Sequence, residues 1–248
     1  AIRRQVFTEV AKLGFKANAE TLVADMEAIP YEIVGEDSEV KYRESIYRAR
    51  AVVRERLRLA MGLSLRPENK PVHLTAGVEA SNISEKYYEP PLMQVIPSAC
   101  DACEDNVYEV SNQCRGCVAK ACVAACPKDA ISIVDGKSVI DREKCIRCGK
   151  CKAACPYDAI AHKVRPCSQA CGIKAVVTDE LGRAKIDNDK CVGCGQCMVS
   201  CPFGAIADKS QIFQLIRAIK KGDYIVAEVA PAIVGQFGEN VSLAQIKG

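Results

Sequence analysis

All sixteen cysteines of this 248-residue chain fall between Cys100 and Cys201, and that crowding constrains the fold more than any other feature. Three runs stand out. They are Cys114-x2-Cys117-x4-Cys122-x3-Cys126-Pro127, Cys145-x2-Cys148-x2-Cys151-x3-Cys155-Pro156 and Cys191-x2-Cys194-x2-Cys197-x3-Cys201-Pro202. Gaps of two residues wrap the backbone around whatever the thiolates of one loop hold, and a further ligand must then come from a distant segment. Structural zinc takes four ligands, commonly as two separated pairs, in a tetrahedral site. Three close cysteines plus a remote one fit that poorly. Disulfides need an oxidising compartment, and no export signal is legible at the start of the chain.

The second and third runs resemble the bacterial ferredoxin pattern C-x2-C-x2-C-x3-C-P, whose fourth Cys ligates the other cluster of a pair. A [4Fe–4S] cubane presents four irons. Three thiolates of a tight loop hold three of them, and the fourth corner points away. Gly149 and Gly195 follow the second Cys of their runs, where a tight wrap favours positive φ. Proline after the fourth Cys supplies no N–H and fixes φ, which suits a helical first turn.

The runs are copies of one another. Ile140-Asp141-Arg142-Glu143-Lys144-Cys145 reads like Ile186-Asp187-Asn188-Asp189-Lys190-Cys191. Each fourth Cys is followed four residues on by an apolar pair, Ala130-Ile131, Ala159-Ile160 and Ala205-Ile206, with a degenerate copy at Ala175-Val176 after Cys171. Such pairs suit a short helical turn running into a buried strand, and a repeat of this kind governs the whole reading. The stretch Cys122–Cys155 recurs as Cys167–Cys201. The first copy has Cys114 and Cys117 just ahead of it. For the second copy the unassigned pair is Cys100-x2-Cys103, far upstream.

What the ferredoxin resemblance implies is therefore two nested modules. Cross-ligation assigns Cys114, Cys117, Cys122 with Cys155 and Cys145, Cys148, Cys151 with Cys126 to an inner module, residues 114–160. It assigns Cys100, Cys103, Cys167 with Cys201 and Cys191, Cys194, Cys197 with Cys171 to an outer module, residues 100–103 plus 167–206. Four [4Fe–4S] clusters are expected, with no Cys left over. His73 and His162 are then not needed as ligands.

The fold expected is α+β, a helical domain over 1–63, an extended connector over 64–99 with one or two strands, the cysteine region over 100–206, and a last segment over 207–248. In the helical domain Ile2, Val6, Val10 and Leu13 recur at helical spacing up to Gly14, and Leu22, Val23, Met26 and Ile29 do so up to Pro30. A third helix is expected from about Asp37 or Ser38, with Val40, Ile46, Val53, Leu57 and Met61 as its stripe. Its arginines (Arg43, Arg48, Arg50, Arg54, Arg56, Arg58) read either as a solvated face or as a dock for an acidic carrier. After the last Cys, Ile212, Leu215, Ile216 and Ile219 line one face of a helix, and Tyr224–Ala230 reads as a buried strand stopped by Pro231.

The formal charge of +3 does not argue for a nucleic-acid partner. Each [4Fe–4S] core with its four thiolates carries roughly −2, so four of them bring the total to about −5. No apolar run approaches the length of a membrane span. Reduced cysteines place the chain in the cytoplasm.

The stretch YIVAEVAPAIVGQFGENVS, from Tyr224 to Ser242, resembles the opening of the catalytic domain of iron-only ([FeFe]) hydrogenases. The resemblance implies the electron-transfer part of a monomeric hydrogenase, passing electrons between a redox carrier such as a ferredoxin and a downstream catalytic domain. The catalytic H-cluster would then lie in that further domain, since no Cys follows Cys201. Both ends of the chain read as cuts within a longer protein. Rival expectations are a non-catalytic polyferredoxin or electron-transfer subunit of another complex, and a redox or iron sensor whose basic helix, residues 38–63, binds a partner or nucleic acid.

Overall fold

The computed structural model describes residues 2–16, 18, 20–36, 44–81, 89–236, 238, 241–242 and 244–245. Four helices come first: α1 (Ile2–Lys16), α2 (Leu22–Ile33), α3 (Ile46–Ala60) and α4 (Val78–Ser81). Short elements then alternate through the cysteine region. They are β1 (Met93–Val95), β2 (Val107–Val110), α5 (Ala121–Ala124), β3 (Ile131–Val134), β4 (Lys137–Ile140), α6 (Lys150–Ala154), β5 (Ile160–Lys163), α7 (Pro166–Gln169), β6 (Val176–Thr178), β7 (Ala184–Ile186), α8 (Gln196–Ser200) and β8 (Ile206–Asp208). The helix α9 (Ile212–Lys221) follows. The protein is α+β, with a helical region ahead of the cysteine-rich one.

The apolar stripes of α1 to α3 bury against each other as their spacing predicts, except that Val23 of α2 turns outward and is 45% exposed. Val6, Val10, Met26, Val53 and Leu57 are all at or near zero exposure. Burial on that scale is worth about 1.5–3 kcal/mol for each large side chain. The start expected for the third helix, with Val40 and Arg43, lies outside the described residues. Within them, Ser45 caps α3 by accepting a hydrogen bond from the Arg48 N–H at 3.1 Å.

Three expectations for the helices need correction. Gly14 does not end α1, which runs on to Lys16. It sits where α1 meets α9, and a Cβ there would come 3.2 Å from Ile216 and from the Phe213 carbonyl. Its smallness serves packing, not termination. Pro30 does not stop α2 either. The helix continues to Ile33, Pro30 is buried, and its carbonyl accepts the Val34 N–H at 3.1 Å. Proline removes one helical donor, and here the packing of its ring outweighs that loss. On α9 the buried residues are Phe213, fully enclosed in the core of α1 to α3, and Gln214; of the expected stripe Ile212 packs against that core and Ile216 meets Gly14, while Leu215 and Ile219 are exposed.

Among the described residues the strands form four two-stranded antiparallel pairs. The β3–β4 hairpin turns at Asp135-Gly136, both with positive φ, as a two-residue Asp-Gly turn requires. The β6–β7 hairpin turns over Asp179, whose Oδ1 accepts the Leu181 and Arg183 N–H groups. The other pairings are remote. β2 pairs β5, and β1 pairs β8 with Val95 opposite Ile206. In sequence the β1–β8 pair encloses the other three.

All four apolar pairs after the repeated cysteines are buried: Ala130-Ile131, Ala159-Ile160, Ala175-Val176 and Ala205-Ile206. The expected strand at Tyr224–Ala230 does not form. The segment is irregular and its side chains stand exposed, Tyr224 at 94% and Val226 at 77%. Strand preference depends on a partner to pair with and a surface to cover, and among the described residues none lies alongside.

Candidate iron–sulfur sites

Each copy of the repeat folds to one local geometry. In the first Cys-x2-Cys of each group (100/103, 114/117, 145/148 and 191/194), the residue ahead of the second Cys is left-handed: Ala102, Gly116, Arg147 and Gly193, with φ between +47° and +68°. Two of these carry side chains, which is uncommon in that region, so the turn imposes it. Gly149 and Gly195 adopt φ +77° and +78° and open α6 and α8. Left-handed residues within a turn aim successive N–H groups into a concavity suited to anions.

A second device recurs after each fourth Cys. Asp129, Asp158, Lys174 and Gly204 are all left-handed, with φ from +46° to +58°. That twist returns the next N–H to the sulfur. Ala130, Ala159, Ala175 and Ala205 donate to Cys126, Cys155, Cys171 and Cys201 Sγ at 3.3, 3.4, 3.2 and 3.4 Å. The apolar pair is therefore more than core filler, because its first member carries the donor. From the β6–β7 hairpin, the Ala184 N–H donates to Cys100 Sγ at 3.4 Å.

The cysteines gather in groups that cross the sequence. A cavity is lined by Cys126, Cys145, Cys148 and Cys151 together with Tyr108 and Gly149. Burial raises the Cys151 thiol, and Cys145 and Cys148 push it further up. Cys167 is pushed up to about 11 by burial and by Cys201, with Cys100 and Cys103 adding to it against Arg165. Cys103 is raised by burial, by Asp101 and by Cys100, with Cys201 contributing. Cys197 is raised by burial and Cys191, with Cys171 and Cys194 adding. Around the first run, Ser138 meets two thiols. Its N–H, with that of Gly116, pulls Cys114 down, and its Oγ lies 3.2 Å from Cys122 Sγ.

Arg165 was missed in the sequence because nothing in its spacing marks it. It is 3% exposed. Its Nε and Nη2 donate to the Cys103 carbonyl at 2.9 and 2.7 Å, and Nη2 also donates to Gly182 O at 2.7 Å. Nη1 reaches Thr178 Oγ1 at 3.2 Å. One buried guanidinium thus ties the Cys100–Cys103 turn to the hairpin that follows Cys171, and its charge favours the Cys167 thiolate.

The remaining candidates lie elsewhere. His162 stacks on Tyr108 with ring centres 4.3 Å apart and meets Asn106 Oδ1 at 2.9 Å. His73 lines a cleft with Glu55 and Arg66. The α3 arginines turn inward more than the sequence suggests. Arg58 is buried and donates to Ser64, Leu74 and Ala76 carbonyls. Arg56 donates to Gly204 O, Arg50 to Val34 O and Arg48 to Ser98 O.

The donor set fits [4Fe–4S] groups. All sixteen cysteines are free thiols, two exposed and the rest at least partly enclosed. Among the described residues no three His, Cys, Asp or Glu side chains close on one point as a lone ion needs. Burial first, and then neighbouring thiols, raise these pKa values, and a cationic group would offset both, since thiolate binding and proton release go together. Backbone N–H groups already point at six of the sulfurs or more, those of Cys100, Cys114, Cys126, Cys155, Cys171 and Cys201 among them. Among the described residues no helix is long and apolar enough to cross a membrane.

Known proteins resemble the chain over this same region. The model of the 4Fe-4S binding domain matches residues 138–161 and 184–207. An uncharacterized ferredoxin of Methanocaldococcus jannaschii is 43% identical over 60 residues, 22% of this chain and 40% of that protein. The electron transport protein HydN of Escherichia coli is 43% identical over 53 residues, 21% of this chain and 30% of that protein. The chain thus spans less than half the length of either. Ferredoxin 7Fe of Hydrogenibacillus schlegelii is 39% identical over 56 residues, 23% of this chain but 72% of that protein. Through its cysteine-rich region, with repeated turns and sulfur-directed N–H groups, the chain belongs to the 4Fe-4S ferredoxin family.

Proposed function

We propose that this chain carries four [4Fe–4S] clusters in two nested ferredoxin modules and relays electrons as a non-catalytic component of a larger oxidoreductase. The quartets are Cys114, Cys117, Cys122, Cys155; Cys145, Cys148, Cys151, Cys126; Cys100, Cys103, Cys167, Cys201; and Cys191, Cys194, Cys197, Cys171. The observation that carries the reading is the company each buried thiol keeps. Cys167 lies among Cys201, Cys100 and Cys103, and Cys197 among Cys191, Cys171 and Cys194. Both groups join cysteines far apart in sequence. The enclosing β1–β8 pair and the Arg165 tie support the outer module in the same way.

When bound, such groups supply one-electron transfer at a potential set by burial, charge and hydrogen bonds to sulfur. The chain's own residues set those terms. The alanine N–H groups stabilise charge on the sulfurs, and Ser138 adds contacts at Cys114 and Cys122. Iron and sulfide analysis of protein reconstituted without oxygen tests the count. About sixteen of each are expected, at four per cluster. A plateau near twelve removes one quartet, and stoichiometric zinc in anaerobically purified protein overturns the reading.

The relatives favour this non-catalytic reading. The electron transport protein HydN matches the chain, as does one component of the anaerobic dimethyl sulfoxide reductase of Haemophilus influenzae, 42% identical over 53 residues. A second reading is the electron-transfer part of an [FeFe]-hydrogenase. The segment Tyr224–Ala230 favours it, being apolar, exposed and without a strand partner among the described residues. The full gene separates the two: further cysteines after residue 248 support the hydrogenase, and a stop codon there refutes it.

A further inference from the structure

The two ferredoxin-type loops are copies, so each serves as a control for the other. Cys145-Ile-Arg-Cys148-Gly-Lys-Cys151-Lys152 and Cys191-Val-Gly-Cys194-Gly-Gln-Cys197-Met198 share their left-handed positions and both lead into a helix. They share exposure too. Cys148 and Cys194 are the two cysteines classed as exposed, each two residues from an exposed apolar side chain, Ile146 at 56% and Val192 at 73%. Each loop therefore brings a cysteine residue to the surface.

They differ in charge. Arg147, Lys150 and Lys152 of the first loop correspond to Gly193, Gln196 and Met198 of the second. All three cations are exposed, and none enters the ion pairs seen among the described residues. Nearby Arg142 and Lys144 are engaged with Glu104 and Asp141. The arginines of α3, the rival basic surface, donate largely to backbone carbonyls of their own protein. Positive charge outside the ion pairs seen among the described residues thus flanks one of the two exposed cysteines in sequence.

We infer that the face around Cys148, formed by Arg147, Lys150 and Lys152, is the docking surface for an acidic redox protein, and that the Cys194 face is not. This rests on the reading that Cys126, Cys145, Cys148 and Cys151 hold a cluster. Charge complementarity steers encounter and raises the on-rate, and salt screens it. One electron leaves the reduced carrier, which is oxidised by one electron, and arrives at the site held by those four cysteines. No bond or proton need change.

The test uses the reconstituted holoprotein with a reduced, acidic 2[4Fe–4S] ferredoxin as probe. Dithionite, which needs no protein docking, serves as reference. The variant Arg147→Gly/Lys150→Gln/Lys152→Met copies the second loop into the first. At low salt its reduction by the ferredoxin should fall at least tenfold, with reduction by dithionite unchanged, and the wild-type advantage should fade as salt rises. Gln196→Ala/Met198→Ala in the second loop should leave the rate alone. If dithionite reduces both forms and the triple change does not slow the ferredoxin, the docking surface is wrong. If dithionite fails to reduce the wild type, the relay reading falls and takes the surface with it.

Discussion

Replacing Arg165 by Met should weaken the cysteine region well beyond an ordinary surface change. The side chain is 3% exposed and makes two bonds to Cys103 O and one to Gly182 O. Methionine fills much of the volume but leaves both carbonyls without their charged donor. Each stranded buried acceptor costs about 1–3 kcal/mol, so the pair amounts to roughly 2–6 kcal/mol. For a chain of this size each kcal/mol moves the melting temperature by roughly 2–4 °C, and a fall of roughly 4–24 °C follows. The assay is an oxygen-free thermal melt at equal iron content, followed by circular dichroism and by the visible absorbance of the clusters. The absorbance should bleach in step with the melt, because the tie holds the Cys100–Cys103 turn. Arg165→Lys keeps the charge but loses the planar fork and should fall between the two. A melt of Arg165→Met within about 2 °C of wild type, on the same scale, refutes the reasoning.

Phe213 is fully buried among α1 to α3, so Phe213→Ala should cost about 3–5 kcal/mol, read as a lower denaturant midpoint of the helical signal. In the apoprotein, alkylation at mildly alkaline pH should reach Cys114 early and Cys167 late. Hydrogen bonds from Ser138 and Gly116 hold the first thiol's pKa down, while burial and neighbouring thiols raise the second to about 11. Peptide mapping against time gives the order, and a Cys167 labelled as fast as Cys114 contradicts it. The 248-residue holoprotein should take electrons from dithionite yet evolve no hydrogen, because no Cys follows Cys201. Gas chromatography checks this, and hydrogen produced by protein free of hydrogenase overturns it.

Local chemistry was legible in the sequence and remote packing was not. The cysteine runs repeat at fixed spacing, so the turns, the positive φ at Gly149 and Gly195 and the buried alanine pairs could be read directly. The helical stripes of α1 to α3 could be read for the same reason. What escaped depends on neighbours distant in sequence. Gly14 looked like a helix stop because its reason for being small is Ile216 on α9. Pro30 looked like a breaker because only burial reveals that its ring packs. Leu215 and Ile219 made the better-looking stripe on α9, yet α1 to α3 enclose Phe213. Tyr224–Ala230 has the composition of a strand and, among the described residues, lacks a strand beside it. Arg165 sits in no motif, and only the fold brings Cys103 O and Gly182 O to its guanidinium.

The central claim is that the quartets interlock across the sequence, and single substitutions read by electron paramagnetic resonance test it most directly. A three-thiolate site loses its unsupported iron, so each Cys→Ala change should convert one cluster towards a [3Fe–4S] form with its own signal. If the modules are nested, Cys201→Ala and Cys100→Ala alter the same spectral component, and Cys171→Ala alters the one that Cys191→Ala does. If Cys201→Ala instead alters the component of Cys191→Ala, the ligands run in simple sequence order and the nested account is wrong.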